Sequence, residues 1–203
     1  MIRLITWVFP FALLLPSPAQ AIQFSILGAV NYSKPATNSS RATYVGGVGY
    51  GGGALLGFAF SRRLGLELGG IYIQRKFNEI ISGSTTKFQA TAIHVPVFFK
   101  FWLARWLSLG VGGYASQAIG KFKATDSSST TSYSYSSTPL KTLDYGLLVG
   151  GGFNFQIKPG FGIFLDARYA YGIASAAKVG AFYHNDALAM LGLRFGRHPL
   201  LSK

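Results

Sequence analysis

The sequence predicts an all-β chain, an eight-stranded antiparallel up-and-down barrel that crosses a membrane with its strands. Three observations lead there. Apolar residues recur at every second position through segment after segment, which is the period of a strand and not of a helix. Only 12% of the 203 residues are charged, while aromatics reach 15% and glycines number 26; a soluble surface normally needs roughly twice that share of charge. Short and long polar connections alternate along the chain, as do the periplasmic turns and extracellular loops of an outer-membrane barrel.

The start carries one early cation, Arg3, then an apolar run from Leu4 to Leu15 and the tripeptide Ala19-Gln20-Ala21. That is the pattern of a secretory signal peptide with an A-x-A cleavage site. Residues 1–21 are therefore expected to be a signal peptide and residues 22–203 the barrel domain. Pro10, Pro16 and the shortness of the run argue against a permanent helical anchor.

Eight strands follow from the alternation. The first, Ile22 to Tyr32, sets Ile22, Phe24, Ile26 and Val30 against Gln23, Ser25 and Asn31, and a polar loop from Ser33 to Thr43 succeeds it. The second, Val45 to Phe60, sets Val48, Tyr50, Leu56 and Phe58 against a row of glycines. The third, Leu64 to Phe77, begins cleanly with Leu64, Leu66 and Leu68, then loses its parity at Gly69-Gly70, where a bulge is expected. Asn78 to Phe88 reads as a loop. Strands four and five form a hairpin from Thr91 to Tyr114 around Ala104-Arg105. One face of it carries Ile93, Val95, Val97, Phe99, Phe101, Leu103, Leu107, Leu109 and Val111. Lys121 to Thr142 is a long Ser/Thr/Tyr-rich loop, read as a mobile, solvated spacer, with an adhesive or receptor-binding surface as the alternative. Strand six runs from Leu143 to Ile157, strand seven from Phe161 to Ile173 after the Lys158-Pro159-Gly160 turn, and strand eight ends at Phe195 after a loop from Ala174 to Asn185.

Alternation alone fits a soluble barrel with its greasy face inward or a membrane barrel with that face outward. The other face decides. On the outside of a soluble protein it should be rich in Lys, Glu and Asp, yet it is mostly Gly, Ala, Ser and Asn, which suit the narrow interior of eight strands. Its placed charges are Glu67, Asp144 and Asp166 against Lys100, Arg168 and Arg194, a balance a buried lumen requires. These six are expected to form a lumen charge network, and the nine apolar residues of the hairpin to face lipid. Trp102 and Trp106 would then fall at the aromatic girdle of the membrane boundary.

Leu64-Gly-Leu-Glu-Leu-Gly-Gly-Ile-Tyr72, Ile93-His-Val-Pro-Val-Phe-Phe-Lys100, Leu109-Gly-Val-Gly-Gly-Tyr114 and Phe164-Leu-Asp-Ala-Arg-Tyr169 resemble the bacterial outer-membrane protein β-barrel domain family, the small OmpA/OmpX-like and PorT-like barrels. The resemblance extends over the mature chain. It implies an outer-membrane location, insertion by the barrel-assembly machinery, and outer-membrane lipid and lipopolysaccharide as surroundings. The chain departs from the family's pattern at His94, where such proteins often carry an acid, and in the tail Gly196 to Lys203 beyond Phe195.

No catalytic, cofactor or metal site is expected. Gly47-Val-Gly-Tyr-Gly-Gly52 matches G-x-G-x-x-G, but a strand follows it where a dinucleotide site needs a helix. His94, His184 and His198 stand outside metal-ligand spacing, and Cys is absent. The alternative is a lipid-modifying enzyme using His184 or Asp186, with His184-Asn-Asp186 read as lying in an outer loop, or loop serines, or a narrow pore. The net charge of +13 is scattered along the chain, so nucleic acid is not an expected partner and a monomer with a structural or loop-mediated surface role is.

Overall fold

The computed structural model describes residues 21–37, 42–126, 129–135, 141–176 and 181–199. The signal-peptide segment therefore lies, but for Ala21, outside the described residues. Nine strands account for most of the rest: β1 (Ala21–Thr37), β2 (Thr43–Ala59), β3 (Leu64–Ile81), β4 (Ser84–Trp102), β5 (Leu107–Thr125), β6 (Thr130–Tyr133), β7 (Leu143–Lys158), β8 (Phe161–Gly172) and β9 (Phe182–Phe195). Eight of them close a ring. The sheet runs β4-β3-β2-β1-β9-β8-β7-β5, and β4 pairs with β5 to complete it. All pairings are antiparallel. Closure satisfies every strand edge in the ring, the condition for a sheet to lie in lipid. The short β6 stands outside the ring and pairs with β5 through Phe122↔Tyr133 to Thr125↔Thr130.

The alternation turns the barrel inside out relative to a soluble one. Along β1 every second residue is exposed, and the exposed ones include Ile22, Phe24, Ile26, Val30 and Tyr32, while Gln23, Ser25, Asn31 and Ser33 are buried. Val95, Val97, Phe99, Phe101, Leu103, Leu109 and Val111 are exposed on the outer wall of the Thr91–Tyr114 hairpin, with Ile93 and Leu107 half-buried there. Tyr32, Tyr50, Tyr72, Tyr145, Tyr169 and Tyr171 make an outward belt toward the loop end, and Phe99, Trp106, Phe153 and Phe155 one toward the turn end. From Phe24 to Tyr32 the chain rises about 26 Å, roughly 20 Å after strand tilt, close to the apolar band of an outer-membrane barrel.

Several expectations change. The strands are longer than the apolar alternation alone shows. β1 runs on through Pro35 to Thr37, and β9 begins at Phe182. The expected loop from Asn78 to Phe88 is strand: Phe77 pairs with Phe88, Ile81 with Ser84, and Ser82-Gly83 turn with φ of 49° and 84°. These segments read as loops because their outer face is polar, as suits strand that stands above the membrane in water. No bulge occurs at Gly69-Gly70, since Leu68↔Val97 and Ile71↔His94 keep one register. The parity was obscured by the inward Ile71 and Ile73, which fill the lumen as apolar residues. The shift between β2 and β3 falls at Gly47/Gly51 instead. The Lys121–Thr142 segment is not a free spacer, because it includes the end of β5, β6 and a buried Tyr135.

The two tryptophans part company. Trp102 is 3% exposed and packs inside with Ala21 and Ala59, whereas Trp106 is 53% exposed and stacks on Phe153 at 5.9 Å. Strand parity fixes Trp102 inward. Trp106 lies in the turn, free of that parity. In vesicles of bromine-labelled lipid, W102F, which keeps Trp106, should be quenched about threefold more than W106F; equal quenching would refute the assignment.

Candidate functional site

Among the described residues, buried polar and charged side chains gather in the lumen, and they are layered. The layer nearer the periplasmic turns joins Glu67 of β3, Lys100 of β4, Asp166 and Arg168 of β8 and Arg194 of β9. Lys100 Nζ donates to Glu67 Oε2 and to Asp166 Oδ2, both at 3.1 Å. Arg168 donates to Glu67 and, at 2.9 Å, to Asp166, and Arg194 Nη2 reaches Glu67 at 3.4 Å. Two of the guanidiniums also lie over rings, Arg168 on Phe98 at 4.3 Å and Arg194 on Phe164 at 4.5 Å. Such stacking holds a planar cation where water cannot. The neighbouring wall of β7 must be bare for this layer to fit. A Cβ on Gly150 would lie 2.9 Å from Arg168 Cγ, and one on Gly152 would overlap the Asp166 carboxylate.

A second layer sits toward the loops. Arg75 Nη1 donates to Asp144 Oδ2 at 2.7 Å, its Nε to Asp186 Oδ2 at 2.8 Å, and its Nη2 to Ser116 Oγ at 3.3 Å. Ser33 Oγ donates to Asp186 Oδ1, and Asn31 Nδ2 to Ser33 Oγ at 2.9 Å. Between the layers lies an apolar one that includes Leu27, Leu55, Ile71, Ile73, Leu148, Leu188 and Met190.

Both mouths carry packed side chains. At the loop end, rings of Tyr44, Phe77, Phe88, Phe122, Tyr135 and Phe182 form a connected cluster, with Phe88 and Phe122 stacked at 5.2 Å and Tyr44 edge-on to Phe182 at 5.6 Å. At the other end the chain turns back after β9. Gly196 takes a φ of 110°, which favours glycine, and donates to Gly160 O at 2.9 Å. Gln23 Nε2 donates to Arg197 O at 3.1 Å, and His198 lies edge-on to Trp102 at 6.0 Å. Burial, then the charges of Arg194, Arg105 and Lys100, push the His198 pKa down to about 4, so the tail docks with a neutral imidazole.

Against the sequence reading, the six expected lumen charges all point inward, but not as one network. Asp144 belongs to the second layer, whose other members, Arg75 and Asp186, were not among the six. Unbroken parity from Leu64 would have placed Arg75 inside, and parity back from Arg194 would have placed Asp186 there. His184 and Asp186 are not in an outer loop. Both are in β9 with buried side chains, Asp186 fully so, and His184 lies beneath the Phe77 and Phe182 rings. Among the described residues no group of His, Cys, Asp and Glu is placed to hold a metal ion.

The barrel is similar in fold to solved membrane proteins. OprG from Pseudomonas aeruginosa is 11% identical, with 91% of this chain and 99% of that one covered and a TM-score of 0.57. Neisserial surface protein A is 16% identical, with 85% and 96% covered and a TM-score of 0.51. Ail, the attachment invasion locus protein of Yersinia pestis, is 17% identical, with 86% and 97% covered and a TM-score of 0.44. No curated protein matches the sequence. The family model described as outer membrane protein beta-barrel domain matches residues 18–178. With that match spanning most of a chain whose apolar face is its outer one, the protein belongs to the outer membrane protein beta-barrel domain family and is a protein of the outer membrane.

Proposed function

We propose that this protein is a closed, non-catalytic barrel with a structural or surface-interaction role in the outer membrane. It would be exported by a signal peptide over residues 1–21, inserted by the barrel-assembly machinery and present as a monomer. The hairpins above the Tyr belt carry the interaction. The observation that carries this reading is the filled interior, with ionic layers paired within themselves, an apolar layer between them, six rings over one mouth and the folded tail in the other. An eight-stranded lumen so packed leaves no aqueous path.

The lipid-modifying alternative needs a reactive His or Asp open to the outer leaflet. His184 and Asp186 lie below the ring cluster, with Asp186 tied to Arg75 and Ser33. Hence His184→Ala should leave the mass of cellular lipopolysaccharide unchanged, and a loss of any modification in that variant would restore the enzymatic reading. In planar bilayers the purified barrel should give no steady conductance steps. Reproducible steps would overturn the closed-lumen reading.

A further inference from the structure

The alternation that builds the ring cluster inside also builds something outside. Phe77, Phe88 and Phe122 point into the cluster, so their sequence neighbours Lys76, Lys87, Lys121 and Lys123 must point outward. The four lysines fall on three adjacent strands, β3, β4 and β5. Register sets their spacing. Lys76 pairs with Gln89 and Gln89 with Lys123, which makes one row, and Asn78, Lys87 and Thr125 make the parallel row just above. With strands about 4.8 Å apart, Lys76 and Lys123 stand about 10 Å from each other and Lys87 lies above the gap between them.

The four lysines outnumber the acids beside them, of which Asp126, next to Thr125 at the end of β5, is the nearest in sequence on these strands' outer rim. Seven ion pairs among the described residues lie inside the barrel and engage none of these lysines. Outside the lumen layers stand Glu79, which accepts from the Tyr44 hydroxyl, and Asp126, which accepts from Ser129, so the face keeps a surplus of cations. The height is telling as well. Lys76 stands four residues above Tyr72 of the upper belt, and its Nζ lies 5.8 Å over the ring of Tyr50, another belt member. That is headgroup level, where a lysine meets lipid phosphate. Below it on the same strands runs the apolar wall of Tyr72, Val95 and Val111.

We propose that this face of β3–β5 is a binding site for a phosphorylated glycolipid of the outer leaflet. Its phosphates would lie among Lys76, Lys87, Lys121 and Lys123, with Gln89 and Asn78 as neutral hydrogen-bond partners, and its acyl chains against the wall below. The proposal rests on the outer-membrane placement and on no particular role for the loops.

The test uses the full barrel in detergent, titrated with bisphosphorylated lipid A, dephosphorylated lipid A and phosphatidylcholine, with heat-modifiable gel migration as the check of folding. The wild type should bind bisphosphorylated lipid A about tenfold or more tightly than the other two, and K76Q/K87Q/K121Q/K123Q should abolish that preference. R62Q/R63Q, which removes charge from a periplasmic turn, should keep it. Should the quadruple variant not fold, K87Q/K121Q at exposed positions carries the same test with an expected loss of about threefold. Wild-type binding by the folded lysine variants, or an equal loss in R62Q/R63Q, overturns the site. A sulfated oligosaccharide that binds through these lysines while lipid A does not would also overturn it, in favour of a polysaccharide partner. Loss of heat-modifiable migration in the wild type would instead count against the barrel reading itself.

Discussion

Replacing Arg75 by methionine should cost the barrel about 3 to 5 kcal/mol, the range for removing one partner of a buried ion pair. The argument rests on what remains. Asp144 and Asp186 both lose their cation, and both are buried beneath the ring cluster. Two buried carboxylates are then left without the cation that joined them, and a buried charge without its partner costs several kcal/mol. Urea unfolding in phospholipid vesicles, followed by Trp106 fluorescence, measures the cost. R75M/D144N/D186N removes the charges together and should recover most of it, because a neutral layer of similar volume need not pair. A triple variant no more stable than R75M would show that Arg75 acts by shape and not by charge.

Glu67→Gln should be of comparable size. Glu67 is the hub of its layer, approached by Lys100, Arg168 and Arg194. Without its charge, three cations share Asp166 alone, and an uncompensated buried charge costs several kcal/mol. We expect a loss of about 3 kcal/mol in the same unfolding assay, with the apolar outer wall and the strand register untouched. E67Q/R194Q should be closer to wild type than E67Q, since it removes the most distant of the three cations along with the acid. If the two losses simply added, the layer would not be acting as a network.

Much of this was legible in the sequence because a membrane barrel writes its walls in period two. Ile93 to Leu103 and Leu143 to Ile157 declare their outer faces residue by residue, and the poverty of charge on the opposite face says which side is lipid. What was hidden follows from the same rule applied in a different solvent. Above the membrane the outer wall turns polar, so Asn78 to Phe88 and Tyr183 to Asp186 look like loops although the strands continue through them. That concealed Asp186. Inside, Ile71 and Ile73 fill the lumen with apolar bulk, so β3 presents greasy residues on both faces and its parity vanished before Arg75. The ring cluster was scattered over five strands and the segment after β6. Only closure of the sheet brings Tyr44, Phe77, Phe88, Phe122, Tyr135 and Phe182 together.

The two ionic layers, each paired within itself, are not each neutral. The lower holds three cations to two acids and the upper one cation to two acids. The interior thus cancels as a whole while carrying a permanent dipole along the barrel axis, positive toward the periplasm, across an apolar spacer on the order of 15 Å thick. At an effective dielectric near 20, those opposite unit charges attract by about 1 kcal/mol, so the two halves of the barrel are bound to one another by a field as well as by backbone. It also makes tolerance directional. Asp186→Asn leaves Arg75 matched to Asp144, and Arg194→Gln leaves Lys100 and Arg168 matched to Glu67 and Asp166, so each layer can give up its surplus member far more cheaply than it can give up Arg75 or Glu67.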